Sequence, residues 1–302
     1  MRPDALSRTS AILLLGIVIG AWGVNWSVSK AVLEHLPPIW ATALRMIPAC
    51  IALWALCLAT GKLVAPKRGD VPVILSVSLL HMVAFSLLAN IGLQYLPAGR
   101  SVVLAYTTPL WVIPAARWYL GEAFNLRTAS GLALGMAGLV FLMNPAAIDW
   151  TNRDVLTGHG LILLAAVFWA ACIVYGRKHA FITSPFQLLP WQTLLAGVVQ
   201  VAFALWFEGL PAITWSVELV ALLGYSSIIG TVLAYWAMNT VNRGLPATVT
   251  SMGLLGVPVV GLFASNLMLG EPIDAVLLVA SALIVAGVAL STLGQSSPAV
   301  QT

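Results

Sequence analysis

Residues 96–122 read LPAGRSVVLAYTTPLWVIPAARWYLGE, and residues 245–271 read LPATVTSMGLLGVPVVGLFASNLMLGE. A single shift of 149 residues lays Leu96-Pro97-Ala98 on Leu245-Pro246-Ala247, Pro109 on Pro258, and Leu120-Gly121-Glu122 on Leu269-Gly270-Glu271. Working outward, the same shift carries Asn90 to Asn239 and Ala137-Gly138 to Ala286-Gly287, with no gap between residues 90 and 138. Earlier in each half the match is one of hydropathy only, with 11–23 facing 160–172. Chance does not hold one register over such a length. The chain reads as a duplication, with a first repeat at 1–150 and a second at 151–302.

The sequence around the repeat is apolar. Of 302 residues, 60% are hydrophobic and 8% charged, where a soluble domain carries roughly 25% charged residues, and the mean hydropathy is +0.97. Fourteen Lys and Arg and ten Asp and Glu residues cannot coat a soluble body of this size. The surface must face lipid. The net charge of +4 comes without a basic stripe interleaved with aromatics, so nucleic acid is not a partner. Cys50, Cys57 and Cys172 sit in apolar runs, away from any CxxC or Cys/His spacing. Neither a disulfide framework nor a metal site is expected, and no P-loop or other cofactor motif occurs.

Charges divide the chain into spans. Residues 9–29, 71–99, 128–148, 155–176, 219–242 and 244–270 each lack Asp, Glu, Lys and Arg, and about 20 apolar residues cross a bilayer. The expected helices are 9–32, 38–60, 71–93, 98–118, 126–145, 158–176, 186–207, 217–240, 246–268 and 274–294. Helix follows because a backbone in lipid must satisfy its own hydrogen bonds. A β-barrel would instead alternate apolar and polar residues, which these runs do not. With the N-terminus in the cytoplasm, ten Lys and Arg residues (2, 8, 62, 67, 68, 117, 127, 177, 178 and 243) fall inside and three (30, 100 and 153) outside. That bias places both termini in the cytoplasm.

Five spans per repeat is an odd number, so two repeats in series sit inverted in the membrane. The fold expected is all-α, with ten transmembrane helices in two inverted five-helix repeats around a central cavity. Inverted repeats that exchange conformations open such a cavity to alternate sides, which is a transporter device.

Three local features carry a family resemblance: Trp22-Gly23-x-Asn25 in span one, the two Leu-Gly-Glu turns after spans four and nine, and Gly176-Arg177-Lys178 after span six. In their order, spacing and duplication they resemble the EamA type of the drug/metabolite transporter superfamily, over nearly the whole chain. The resemblance implies a ten-helix exporter whose cavity is lined mainly by spans 1, 3, 4, 6, 8 and 9. It is most similar to bacterial exporters of amino acids, aromatic ones included.

Proline-broken helices at matching places in two repeats point to a transporter site, and Pro109 and Pro258 fit, each freeing a backbone carbonyl. Polar residues at membrane depth face a cavity or a partner, which singles out Asn25, His81 and Arg45. Arg45 can attract a substrate carboxylate, snorkel outward, or pair with Glu34. Lys30 and Glu34, spaced i,i+4, are expected to pair at the outer rim. Among the tryptophans, Trp40, Trp118, Trp150, Trp206 and Trp215 read as interfacial anchors. Trp22, Trp111, Trp169 and Trp236, with Tyr106, Tyr225 and Tyr235, lie in helices that the resemblance assigns to the cavity. Aromatic walls suit a flat apolar substrate. Gly16-xxx-Gly20 and Gly131-xxx-Gly135-xx-Gly138 read as packing motifs.

The rival classes fare worse. An embedded enzyme lacks its parts: every acidic residue lies in a loop or at a span end, and no histidine follows position 179 to serve Ser226 of a Gly-Tyr-Ser motif as a base. A channel shares polar pore walls but has less use for an inverted repeat. A nucleotide-sugar or sugar-phosphate exchanger of the same superfamily would need several midplane cations, where Arg45 alone reaches that depth. The substrate is therefore expected to be a small metabolite, carried by a monomer or homodimer. No span holds a central carboxylate for proton coupling, and the one midplane group that ordinarily titrates near pH ~6.5 is His81. Flux that is uncoupled or weakly proton-coupled is expected.

Overall fold

The computed structural model describes residues 8–121, 125–143, 151–179, 182–244, 250 and 253–293. Among these there are helices and no strands. The helices are α1 (Arg8–Val32), α2 (Pro38–Ala59), α3 (71–93), α4 (Ala98–Ala105), α5 (Thr108–Leu120), α6 (Leu126–Met143), α7 (Arg153–Lys178), α8 (Pro185–Phe207), α9 (217–244), α10 (Gly256–Leu269) and α11 (Ala275–Leu293). Six are long and apolar enough to cross a membrane: Thr9–Val32, Pro38–Ala59, Arg68–Leu93, Arg153–Gly176, Pro185–Phe207 and Val217–Met238. Leu126–Leu142, Gly256–Leu269 and Ala275–Leu290 are shorter apolar helices.

Helix starts and stops follow local chemistry. Pro38 and Pro185 occupy first-turn positions, where a missing N–H costs nothing. The Ser184 and Ser216 hydroxyls accept from Gln187 N and Leu219 N. Gly121 and Gly270, the glycines of the matched Leu-Gly-Glu turns, end α5 and α10 at φ of 69° and 66°, a left-handed cap open to residues without a Cβ. Carboxylates from the second half of the chain cap two N-termini of the first. Glu208 accepts from Ile39 N and Trp40 N, both at 2.9 Å, and Glu271 accepts from Ala98 N and Gly99 N at 2.7 and 3.0 Å. Each satisfies two orphan donors and meets the positive end of a helix dipole.

The bundle has a centre and two flanks. In the centre α1 packs on α9 and α10, α3 packs on α7 and α8, and α4 joins α7 to α10. One flank is α2 against α8, and the other is α6 against α11. The α6–α11 contact is close because glycines face it from both sides. A Cβ on Gly138 would stand 2.8 Å from Leu283 Cβ, and one on Gly287 would stand 2.7 Å from Gly131 O. Gly16 and Gly20, expected to pack in the same way, meet nothing within 4 Å.

Where they are described, the helix limits agree closely with those expected for the spans, with three corrections. The fourth span is two helices, α4 and α5, separated by a turn at Tyr106–Thr107. The third and eighth spans are π-helical through their middles, at Val77–Phe85 and Tyr225–Leu233. The sixth begins at Arg153 rather than 158. Span nine is described as a continuous helix from Gly256, and Asn239's side chain, Trp150 and the 245–249 stretch lie outside the described residues.

Candidate functional site

The π-helical segments shape the centre because they release backbone carbonyls to other helices. The Met82 carbonyl, in the first, accepts from Gln200 Nε2 of α8 at 2.6 Å. The Gly230 carbonyl, in the second, accepts from the Trp22 indole of α1 at 3.2 Å. Gly230 has no room for a side chain, since a Cβ would come within 2.6 Å of Asn25 Oδ1. Ser226 donates to that same Oδ1 at 2.8 Å, and Ser227 donates to the Arg45 carbonyl at 2.8 Å. Each bond joins α9 to α1 or α2 at the depth where an unpaired polar group is expensive.

Between these elements lies a cavity with about 780 Å³ of empty space, open solvent at its mouth included. Its floor is aromatic. His81 lies flat on Trp169, with ring centroids 5.2 Å apart and planes at 8°. Trp169 also meets Tyr106 edge-on at 5.5 Å and Phe85 at 5.2 Å. The Tyr235 hydroxyl and His81 Nδ1 share a hydrogen bond of 3.2 Å, and Tyr235 meets Trp22 edge-on at 5.9 Å. Above the floor the walls turn polar: Asn25 and Ser29 on α1, Arg45 on α2, Ser86 and Asn90 on α3. Arg45 Nη2 donates to Ser86 Oγ at 3.1 Å, and Asn90 Nδ2 donates to the Ser86 carbonyl at 3.0 Å. The lining continues to Leu93, at the end of α3 beside the turn to α4.

Of the residues singled out in the sequence, Trp22, Asn25, Arg45, His81, Tyr106, Trp169 and Tyr235 come together on this cavity. Trp111 does not. It sits one turn beyond the break in span four, and its indole donates to Thr107 Oγ1 at 3.2 Å. Tyr225 donates to the Ala21 carbonyl away from the cavity, and Trp236 lines a separate recess with Lys62 and Thr240. Pro109 opens α5, but hydroxyls nearby take up the loosened carbonyls: Thr107 donates to Leu104 O and Thr108 to Ala105 O, each at 2.7 Å. Pro258 is buried in the first turn of α10, and neither proline touches the cavity. The wall also differs from the one the resemblance implies, because span two contributes Arg45 and Met46 while the described part of span nine contributes nothing.

Two pairings change as well. Arg45 has no carboxylate within ion-pair distance among the described residues, so Glu34 is not its partner. Lys30 turns to backbone carbonyls, donating to Leu93 O at 2.6 Å and Leu96 O at 3.1 Å, where a cation caps the end of α3. Trp118, Trp206 and Trp215 are exposed as interfacial anchors should be, whereas Trp40 is buried and donates to Gly209 O at 2.7 Å.

Trp26, Phe85 and Ser86 were missed, although periodicity marks them. Trp22, Asn25, Trp26 and Ser29 share one helix face, as do His81, Phe85 and Ser86. No group of three or more His, Cys, Asp or Glu residues that would hold a metal occurs among the described residues.

Helices that cross a bilayer and enclose a polar, aromatic-floored cavity define a membrane transporter of small molecules. A family model matches the chain twice, over residues 9–144 and 156–293, and the chain belongs to the EamA-like transporter family. Among curated relatives, the uncharacterized transporter YoaV of Bacillus subtilis is 25% identical over 93% of this chain and 96% of its own. The uncharacterized inner membrane transporter YedA of Escherichia coli K12 is 29% identical over 91% and 88%. A probable amino-acid metabolite efflux pump of Salmonella typhimurium is 25% identical over 96% of both chains. One solved crystal structure superposes with a TM-score of 0.69 over 96% of this chain and 98% of that chain at 22% identity, a likeness of fold alone.

Proposed function

We propose that the protein exports amino acids, aromatic ones among them, or related metabolites, by alternating access through this cavity. The observation that carries the reading is the convergence of Trp22, Asn25, Arg45, His81, Tyr106, Trp169 and Tyr235 on one enclosed space. Rings stack on such a floor while polar groups above fix orientation. The name of the Salmonella typhimurium relative points to the same class of cargo.

The architecture behind the mechanism is ten spans in two inverted repeats, 1–150 and 151–302, with both termini cytoplasmic. Support comes from the twofold match of the family model. The π-helical segments beginning at Val77 and Tyr225, and the left-handed glycines Gly121 and Gly270, also fall at corresponding places in the two halves. In this orientation the end of the cavity lining at Leu93 lies toward the outside. A phosphate-bearing cargo is disfavoured, because Arg45 is the one Lys or Arg on the wall among the described residues.

Substrate runs down its own gradient in this reading. The test is efflux of a panel of amino acids, nucleosides and sugar phosphates from liposomes holding the purified protein. Aromatic amino acids should leave fastest, flux should survive collapse of the proton gradient, and His81→Gln should keep most of it. Uphill movement driven by an imposed pH gradient and abolished in His81→Gln would contradict the uncoupled reading; selective flux of sugar phosphates would contradict the substrate class.

A further inference from the structure

The cavity wall carries a cation and, among the described residues, no carboxylate. A guanidinium offers five donors in a fixed fork. Of these, Nη2 is engaged by Ser86 Oγ at 3.1 Å, while Nε is buried without a hydrogen-bond partner. A guanidinium in a low-dielectric wall without a counter-charge is costly, and a carboxylate relieves that cost by taking two donors at once. The groups that stand nearest in the lining, Ser86, Asn90, His81 and Tyr235, supply no fixed negative charge.

The other end of an amino acid finds no equivalent partner. An ammonium asks for a carboxylate or several free carbonyls. The Gly230 carbonyl already accepts one bond, from Trp22, and Asn25 Oδ1 one from Ser226, which leaves an ammonium single neutral lone pairs and no charge. The site's field is therefore one-sided, favouring an anion over a zwitterion and a zwitterion over a cation.

We propose that Arg45 selects the carboxylate of the substrate and that the cavity makes no demand for an α-ammonium. Aromatic monocarboxylates without an amine are then carried at least as well as the matching amino acids. This rests on the cavity being the substrate route, and it narrows the cargo to a charge class.

The experiment uses the full chain in liposomes at neutral pH and three probes with one ring: phenylpyruvate, phenylalanine and phenylalanine amide, each corrected for leak through protein-free vesicles. The expected order of flux is phenylpyruvate at or above phenylalanine, with the amide roughly tenfold slower, as for a site whose charge partner is missing. Arg45→Gln should slow both carboxylates about tenfold and raise the amide relative to them, and Arg45→Lys should recover part of the carboxylate loss. Flux of phenylalanine without phenylpyruvate would overturn the proposal, because it would show an ammonium requirement. So would an unchanged carboxylate preference in Arg45→Gln. The wild-type ranking decides the matter even if a variant does not fold. Absence of flux for every probe in the wild type would instead overturn the export reading itself, and the proposal with it.

Discussion

The α6–α11 flank and the cavity walls formed by α3 and α9 lie in one bundle and are held by opposite means. In the flank, backbone meets backbone. Gly138 and Gly287 let the helices touch, Leu139, Leu142, Ile284 and Val288 fill the seam, and the buried Ser281 hydroxyl bonds within its own helix, to Leu277 O. In the walls the helices are π-wound and reach their neighbours through polar groups, from Gln200 to Met82 O and from Trp22 to Gly230 O. Small-residue contact is the stable way to join helices in lipid, whereas π-wound turns cluster where proteins act. The difference separates scaffold from site. Substitutions in the flank should cost stability, and substitutions in the walls should cost transport.

The largest effect is expected at Gly287. Valine there must push α6 away from α11, because even a Cβ overlaps Gly131 O and Gly135 Cα. Overpacking costs about 1–3 kcal/mol, and at the upper end of that range the melting temperature of purified protein should drop by roughly 5 °C. Gly16→Ala, with nothing within 4 Å, should hold or slightly raise the melting temperature. Equal melting temperatures for Gly287→Val and wild type would dissolve the contrast.

A smaller, purely functional effect is expected at Trp169, whose ring meets His81, Phe85 and Tyr106. Losing one aromatic partner costs about 0.5–1.5 kcal/mol beyond burial, or roughly a several-fold loss of apparent affinity in efflux assays of Trp169→Ala, with folded yield near normal. Loss of yield with unchanged affinity in the protein that remains would move Trp169 from wall to scaffold.

The sequence carried the scaffold plainly because hydropathy and charge act over whole spans. The 149-residue repeat and the glycines at 138 and 287 are patterns of backbone approach, which leave direct marks on composition. The cavity lining was legible where a residue is costly at depth, as with Asn25, His81 and Arg45. Sorting aromatics by helix alone did not separate those on the cavity from those off it. Trp111 and Trp169 are alike in composition and depth, and their separation depends on the turn at Tyr106–Thr107, which breaks the register between α4 and α5. The π-windings were invisible, since no local propensity marks them and the carbonyls they release meet partners distant in sequence, as Met82 O meets Gln200. Lys30 obeys the same rule: its carbonyl partners at Leu93 and Leu96 are distant in sequence, so the nearby Glu34 looked like the natural mate.

If the cavity itself is the route, it must be reached from both sides of the membrane in turn. With Cys50, Cys57 and Cys172 replaced by alanine, a single cysteine at Ala89, on the cavity wall, is to be compared with one at Ala280, buried in the flank. Each is treated with a membrane-impermeant thiol reagent in right-side-out and in inside-out vesicles. Ala89→Cys should be modified from both sides, aromatic substrate should slow the reaction from both, and Ala280→Cys should stay unmodified. Modification of Ala89→Cys that substrate leaves unaltered, or that never occurs from one side, would contradict that route.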